Sequence, residues 1–198
     1  MNSSILMIVP AAGMSTRHPP NKLTVKINRS TVIEKTLRIL CNNFTKIVVV
    51  VGHNNNAIKS IVKKSFYDLV EIIDNPEYKT GMSSSIHRAI LDSKQSNFEY
   101  YGFCNADKPF IRQKTIISLL HILKQEKPKI LTPTFQGKVG HPNFFSISFK
   151  NSLLNTAGDV GGRNIIRQAM DETHFLEVDD HGVTLDMDQY LKGKSDGK

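Results

Sequence analysis

The stretch ILMIVPAAGMSTR, residues 5–17, decides the fold. Residues 5–10 are a short apolar run that meets Ala11-Ala12-Gly13, and a cation, Arg17, closes the stretch. A run this short, bounded by Pro and Gly, reads as a buried strand rather than a helix. Four more short, β-branched runs lie at residues 46–51, 70–74, 100–105 and 130–134. The first of these, KIVVVV, is almost uniformly apolar, as a strand covered on both faces of a parallel sheet must be.

Helical spacing fills the gaps between these runs. In residues 31–40, Val32, Ile33, Thr36, Leu37 and Leu40 share a face, and Thr31-x-x-Glu34 has the form of a capping box. Residues 55–64, 83–93 and 116–123 repeat the pattern, with Ile58, Ile61 and Val62, then Ile86, Ala89 and Ile90, marking the buried sides. Regular alternation of strand and helix predicts an α/β fold: a doubly wound, mostly parallel sheet. Such sheets collect ligands at the carboxyl ends of their strands. Beyond about residue 135 the alternation weakens, and a few strands plus helices near 148–154 and 163–170 are expected to cover the open edge of the site.

The chain has 198 residues, 39% hydrophobic and 22% charged, which predicts a single domain over residues 1–190 and a disordered tail over 191–198. No apolar run is long enough to span a membrane. The start lacks a basic segment, and its apolar run is too short for a signal peptide, so a cytoplasmic protein is expected. Cys41 and Cys104 lie inside apolar segments and read as buried free thiols. The net charge of +8 favours polyanionic partners, nucleic acid or a nucleotide. No aromatic-basic platform or groove-reading helix is evident, so no specific nucleic-acid partner is expected.

Five segments carry candidate chemistry. Small residues at Ala11, Ala12 and Gly13 let a ligand approach the backbone, whose N–H groups can point at phosphate oxygens. Arg17 and Lys22 would neutralise that charge. The same residues also suit a tight turn beside two surface cations. In NPEYKTGMSSSI, residues 75–86, Gly81 allows close approach to a planar ligand and serine hydroxyls can bond a base edge; a plain helix start rich in capping serines fits as well. In FCNADKPF, residues 103–110, Asp107 ends an apolar strand, where a carboxylate can hold Mg²⁺ against phosphates or simply shape a turn. In GDVGGR, residues 158–163, a helix start behind glycines, with Arg163, suits the phosphate of a second substrate or an ordinary cap. Asp186 and Asp188 alternate and would share one side of a strand, where a solvated acidic edge fits as well.

In order and placement these segments resemble the signatures of the MobA-like nucleotidyltransferases, which have a glycosyltransferase-A-like Rossmann fold. PAAGMSTR followed by Lys22 and Leu23 is similar to their LAAG-x-S-x-R-M-G-x-x-K-L loop, with His18 and Pro19 replacing Met-Gly. Gly81-Met82-Ser83, and Ala-Ala rather than Gly-Gly in the first loop, resemble the CTP-using members, the molybdenum cofactor cytidylyltransferases. Asp107 matches the G-D-x-P aspartate, with Ala106 in place of the glycine and Lys108 at the variable position. Residues 137–146 resemble their G-H-P-x-x-F segment, and Asp186 and Asp188 begin a D-I-D ending that breaks off at Gln189.

The resemblance implies a nucleotidyl transfer, CMP from CTP or another NTP, with release of pyrophosphate. It implies Arg17, Lys22 and Asp107 as catalytic groups, and Ala11, Ala12, Gly13, Gly81, Met82 and Ser83 around the nucleotide. His141, Asp159 and Arg163 would face the acceptor, and Asp107, Asp186 and Asp188 would hold Mg²⁺, with Mn²⁺ as a substitute. The implied acceptor is a molybdopterin-type cofactor, and the implied recipient of the product is a molybdenum hydroxylase. Two other readings stay open: transfer to a sugar or polyol phosphate, and a non-catalytic carrier or chaperone of the molybdenum cofactor.

Overall fold

The structure is a computed structural model that describes residues 2–13, 21–52, 55–94 and 97–195. Its first strand, β1 (Asn2–Ala11), contains five successive residues, Ile5 to Val9, with no solvent exposure. Alternate side chains of a strand face opposite ways. Ile5, Met7 and Val9 therefore enter one core, and Leu6 and Ile8 enter another. A strand can be apolar on both sides only if both sides are covered, and helices cover both here.

After β1 comes a small hairpin, β2 (Lys26–Ile27) and β3 (Ser30–Thr31), then α1 (Val32–Cys41) and β4 (Phe44–Gly52). Next are α2 (Asn56–Phe66), β5 (Glu71–Asn75), α3 (Met82–Asp92) and β6 (Tyr100–Phe103). The second half holds α4 (Gln113–Gln125), β7 (Ile130–Phe135), β8 (Lys138–Val139) and β9 (Asn143–Ser146). It ends with α5 (Lys150–Leu154), α6 (Arg163–Gln168), β10 (Thr173–Glu177) and α7 (Met187–Ser195).

The main sheet runs β10-β7-β9-β6-β1-β4-β5, with β8 hydrogen-bonded to β7. Pairs β1–β4, β4–β5, β1–β6 and β7–β10 are parallel, and β9 is antiparallel to both of its neighbours. One face packs against α1, α2 and α4 through Leu37, Leu40, Ile58, Ile116 and Leu119. The other packs against α3, α5 and α6 through Ile86, Ala89, Leu153, Ile165 and Ile166. Each of the leucine and isoleucine side chains contributes about 1.5–3 kcal/mol on full burial. The doubly wound, mostly parallel sheet read from the sequence is the one observed.

Local signals account for the element starts. Thr31 and Glu34 form the capping box of α1 in full, and Ser65 on α2 donates to the free oxygen of Glu34. The backbone bond from Thr31, foremost, holds the Glu34 carboxyl below its ordinary pKa. Cys41 and Cys104 are buried and free, and burial pushes their thiols up to about 11 and about 12.

Two expectations change. The segment carrying Asp186 and Asp188 is not a strand: Asp186 caps α7, exchanging bonds with Gln189 (Asp186 N to Gln189 Oε1, 3.0 Å; Gln189 N to Asp186 Oδ1, 2.8 Å). Residues 191–195, expected within a tail, belong to α7.

From β1 the chain winds outward through β4 to β5, then returns by α3 to β6 on the other side of β1. The order of strands reverses between β1 and β6. Loops leaving neighbouring strands in opposite directions there open a crevice.

Candidate active site

A cavity of about 460 Å³ occupies that crevice. Pro10, Ala11, Ala12 and Gly13 at the end of β1 form one wall, and Asn105, Ala106 and Asp107 after β6 form another. The β6 loop is tied down on both sides. Cys104 N donates to Ile8 O at 3.1 Å, and the Thr36 hydroxyl of α1 donates to Ala106 O at 2.9 Å. Lys22 enters from a single helical turn, Lys22–Thr24, whose Leu23 is buried and whose start is capped by Asn21 Oδ1.

Lys22 bridges two carboxylates. Its Nζ lies 2.7 Å from Asp107 Oδ2 and 3.0 Å from Asp188 Oδ2, joining the β6 loop to the first turn of α7. Burial alone would lower the Lys22 pKa, but the charge of Asp107 and hydrogen bonds to both carboxylates outweigh it and raise it. Asp107 Oδ1 is buried without a hydrogen-bond partner among the described residues. A buried carboxylate oxygen left unsatisfied is costly and asks for a ligand.

Among the described residues no three or more His, Cys, Asp or Glu side chains gather as a metal-ligand set. Of the cavity's carboxylates, Asp107 and Asp188 are the pair that Lys22 brings together. That pair fits Mg²⁺ or Mn²⁺, because Mg²⁺ is commonly held by one or two carboxylates plus substrate phosphates. The ammonium of Lys22 supplies cationic charge at the same place.

The far wall is the start of α3, with Tyr78, Lys79, Gly81, Met82 and Ser85. Gly81 has φ +116°, and a Cβ there would lie 2.4 Å from the carbonyl carbon of Gly158. Only glycine suits both demands. Asp159 borders the cavity and accepts from Met82 N at 3.1 Å, capping α3. Ser85 Oγ accepts from buried Asn75 Nδ2 at 3.0 Å, which leaves its own proton free to donate.

The sequence model of the MobA-like NTP transferase domain matches residues 7–173, most of the chain and both walls of this cavity. The chain belongs to the MobA-like NTP transferase family. The family makes it a nucleotidyltransferase acting with a nucleoside triphosphate. This MobA-like chain is 24% identical over 188 residues to the molybdenum cofactor cytidylyltransferase of Escherichia coli K12, covering 94% of the chain and 92% of that protein. Among solved structures, the Rv0371c homologue from Mycobacterium sp. strain JC1 superposes with a TM-score of 0.80 at 22% identity, covering 99% of this chain and 98% of the other. A manganese complex of Rv0371c from Mycobacterium tuberculosis H37Rv superposes with a TM-score of 0.74 at 20% identity, covering 96% and 97%. These structural likenesses are likenesses of fold.

Of the residues singled out in the MobA-like sequence, the structure brings Ala11, Ala12, Gly13, Lys22, Gly81, Met82, Asp107, Asp159 and Asp188 to one cavity. Arg17 lies outside the described residues. Ser83 is buried away from the cavity, because its position on α3 turns it inward, and Ser85 takes the lining place. Asp186 does not line the cavity; its carboxylate is engaged as the cap of α7. Arg163 is exposed at the first position of α6, and His141 stands behind the β6 loop; neither lines the cavity. The His141 ring has Nδ1 3.3 Å from Phe103 O, and desolvation, with the charge of Lys108 second, pushes it down to about 4. Pro10, Leu23, Tyr78, Lys79, Ser85, Asn105 and Ala106 line the cavity without having been given a site role. Lys79 and Ser85 carried a usable signal, lying inside the NPEYKTGMSSSI segment.

No described helix is long and apolar enough to cross a membrane.

Proposed function

We propose that the chain is a divalent-metal-dependent cytidylyltransferase that moves CMP from CTP onto a phosphate of a molybdopterin-type acceptor and releases pyrophosphate. The observation that carries this reading is the meeting of Lys22, Asp107 and Asp188 at the strand-order reversal, with Asp107 Oδ1 buried and unsatisfied among the described residues. An acceptor phosphate oxygen forms a bond to the α-phosphorus of CTP as the bond to the bridging oxygen of pyrophosphate breaks. The protein forms no covalent bond. It must hold two anions in line and neutralise the charge that develops.

Asp107 and Asp188 would hold Mg²⁺ or Mn²⁺, which when bound supplies charge that offsets repulsion between the phosphates. Lys22, released from the carboxylates, pairs with phosphate oxygens and with the departing pyrophosphate. Backbone N–H groups around Ala12 and Gly13 face the phosphates, and Arg17 adds a second cation. Gly81, Met82 and Ser85 border the base. Asp159, together with Arg163 and His141 outside the cavity, would face the acceptor. The choice of CTP and of a molybdopterin acceptor is supported by the Ala-Ala first loop and by the curated relative. A molybdenum hydroxylase would receive the product, and the +8 charge suits polyanionic substrates.

The test is pyrophosphate release from each of the four NTPs with Mg²⁺, offered molybdopterin, a sugar phosphate or a polyol phosphate. CTP with molybdopterin should be the productive pair. Turnover only with a sugar or polyol phosphate would move the acceptor assignment, and pterin binding without any turnover would make the protein a carrier.

A further inference from the structure

Lys108 follows Asp107 directly, yet its side chain leaves the cavity. It is only 6% exposed, and its ammonium donates to the backbone oxygen of Thr184 at 2.6 Å. The adjacent carbonyl, Val183 O, accepts from His141 N at 2.9 Å, and Val183 packs so closely on Gly140 that a Cβ there would sit 2.6 Å from its Cγ2. Two consecutive carbonyls of one turn are thus held from two sides. The turn His181–Val183 leads straight into the Asp186 cap and the first turn of α7, where Asp188 reaches Lys22.

Burying an ammonium against a single carbonyl acceptor among the described residues is expensive. The arrangement makes sense if that bond fixes something the site needs. We propose that Lys108 is a positioning residue for the metal site: it anchors the turn before α7 so that Asp188 meets Asp107 across the cavity. The proposal rests on the reading above, that these two carboxylates hold a divalent cation. One residue pair in sequence, Asp107-Lys108, then supplies the first carboxylate and places the second.

Charge and position make opposite predictions. Removing a cation whose charge acts on Asp107 should, by Coulomb's law alone, tighten binding of a divalent ion. Losing the anchor should weaken it. The experiment is Mn²⁺ titration by electron paramagnetic resonance on the full chain with CTP present, for wild type, Asp107→Asn, Asp188→Asn, Lys108→Met, Lys108→Gln and the double variant Lys108→Met/Asp188→Asn. Lys108→Met is expected to weaken Mn²⁺ binding about as much as Asp188→Asn does, at least tenfold. The double variant should show no further loss, since residues acting through one contact are not additive. Lys108→Gln, which keeps a donor, should recover part of the affinity.

Hydrogen exchange gives a reading independent of the metal: amides in residues 181–188 should exchange at least tenfold faster in Lys108→Met and less so in Lys108→Gln, with those of α1 unchanged. Unchanged or tighter Mn²⁺ binding in both Lys108 variants overturns the proposal, as does a loss that adds to that of Asp188→Asn. A raised KM for the acceptor with normal Mn²⁺ binding also overturns it and makes Lys108 an acceptor contact. Normal Mn²⁺ binding in Asp107→Asn and Asp188→Asn refutes the metal site itself, and the role of Lys108 with it.

Discussion

Replacing Lys22 with methionine removes the ammonium and leaves two carboxylates facing each other. Both Oδ2 atoms lie within 3.0 Å of Lys22 Nζ. They are therefore no more than about 6 Å apart, where two unit charges repel by roughly 3 kcal/mol at an effective dielectric of about 20. The three side chains are 21%, 13% and 26% exposed, so solvent screens the repulsion only in part. Without divalent metal, Lys22→Met should lose up to that much stability. A bound Mn²⁺ removes the same repulsion, so Mn²⁺ affinity in the absence of nucleotide should rise by as much as about a hundredfold, at 1.4 kcal/mol per factor of ten. Turnover should move the other way and fall at least about tenfold, because a cation that stabilises the departing pyrophosphate is gone. Urea unfolding with and without Mn²⁺, an electron paramagnetic resonance titration, and pyrophosphate release measure the three effects. If Lys22→Met binds Mn²⁺ no tighter than wild type and unfolds at the same urea concentration, the shared-site reasoning is wrong.

Three further outcomes follow from single contacts. Gly81→Ala forces a left-handed φ of +116° on alanine and drives a Cβ to 2.4 Å from Gly158, so calorimetry should find at least about 2 kcal/mol less stability, with weaker CTP binding. Asp180, 2% exposed, accepts from Arg112 N, Thr115 Oγ1 and Gly182 N; Asp180→Ala should cost about 3 kcal/mol by urea unfolding, and a loss under about 1 kcal/mol would contradict its role as a clamp. His141 is held down from 6.5 to about 4, so the unfolded chain takes up a proton in that window that the native ring refuses. Stability should therefore fall as pH drops through the window, by up to about 3 kcal/mol, and His141→Asn should flatten that limb of the pH–stability curve.

Much of the fold was legible because burial on two faces leaves a plain mark. Residues 46–51 have almost no polar side chain, and β4 is covered by helices on both sides. Thr31 and Glu34 announced α1 through a bond pattern that needs no tertiary partner. The later elements were harder to read. Strand β9 is four residues long, and its direction depends on pairing with β6 and β7, contacts more than ten residues distant in sequence. The misread segment was TLDMDQ. Its alternating aspartates suit a strand, but Asp186 and Gln189 have the spacing of an N-terminal capping box, and that local bond prevailed.

The site divides in the same way. Lys22, Asp107 and Gly81 could be read because each follows a strand or opens a helix, where the chemistry of charge and backbone freedom is visible in the residue type. Ser83 and Ser85 could not be ranked from sequence: both are serines on one helical turn, and only the rotation of α3 against β5 decides which faces the cavity. Lys108 was legible only as the residue at the variable position after Asp107. Its actual acceptor, Thr184 O, is 76 residues away and carries no side-chain signal.

The most direct test of the central claim is pyrophosphate release from CTP and molybdopterin, with and without Mg²⁺, by wild type and Asp107→Asn. The account predicts release by wild type that requires Mg²⁺ and is lost in Asp107→Asn, while the variant unfolds at an unchanged or higher urea concentration. Equal release by the two proteins, or release by wild type that ignores the metal, would contradict it.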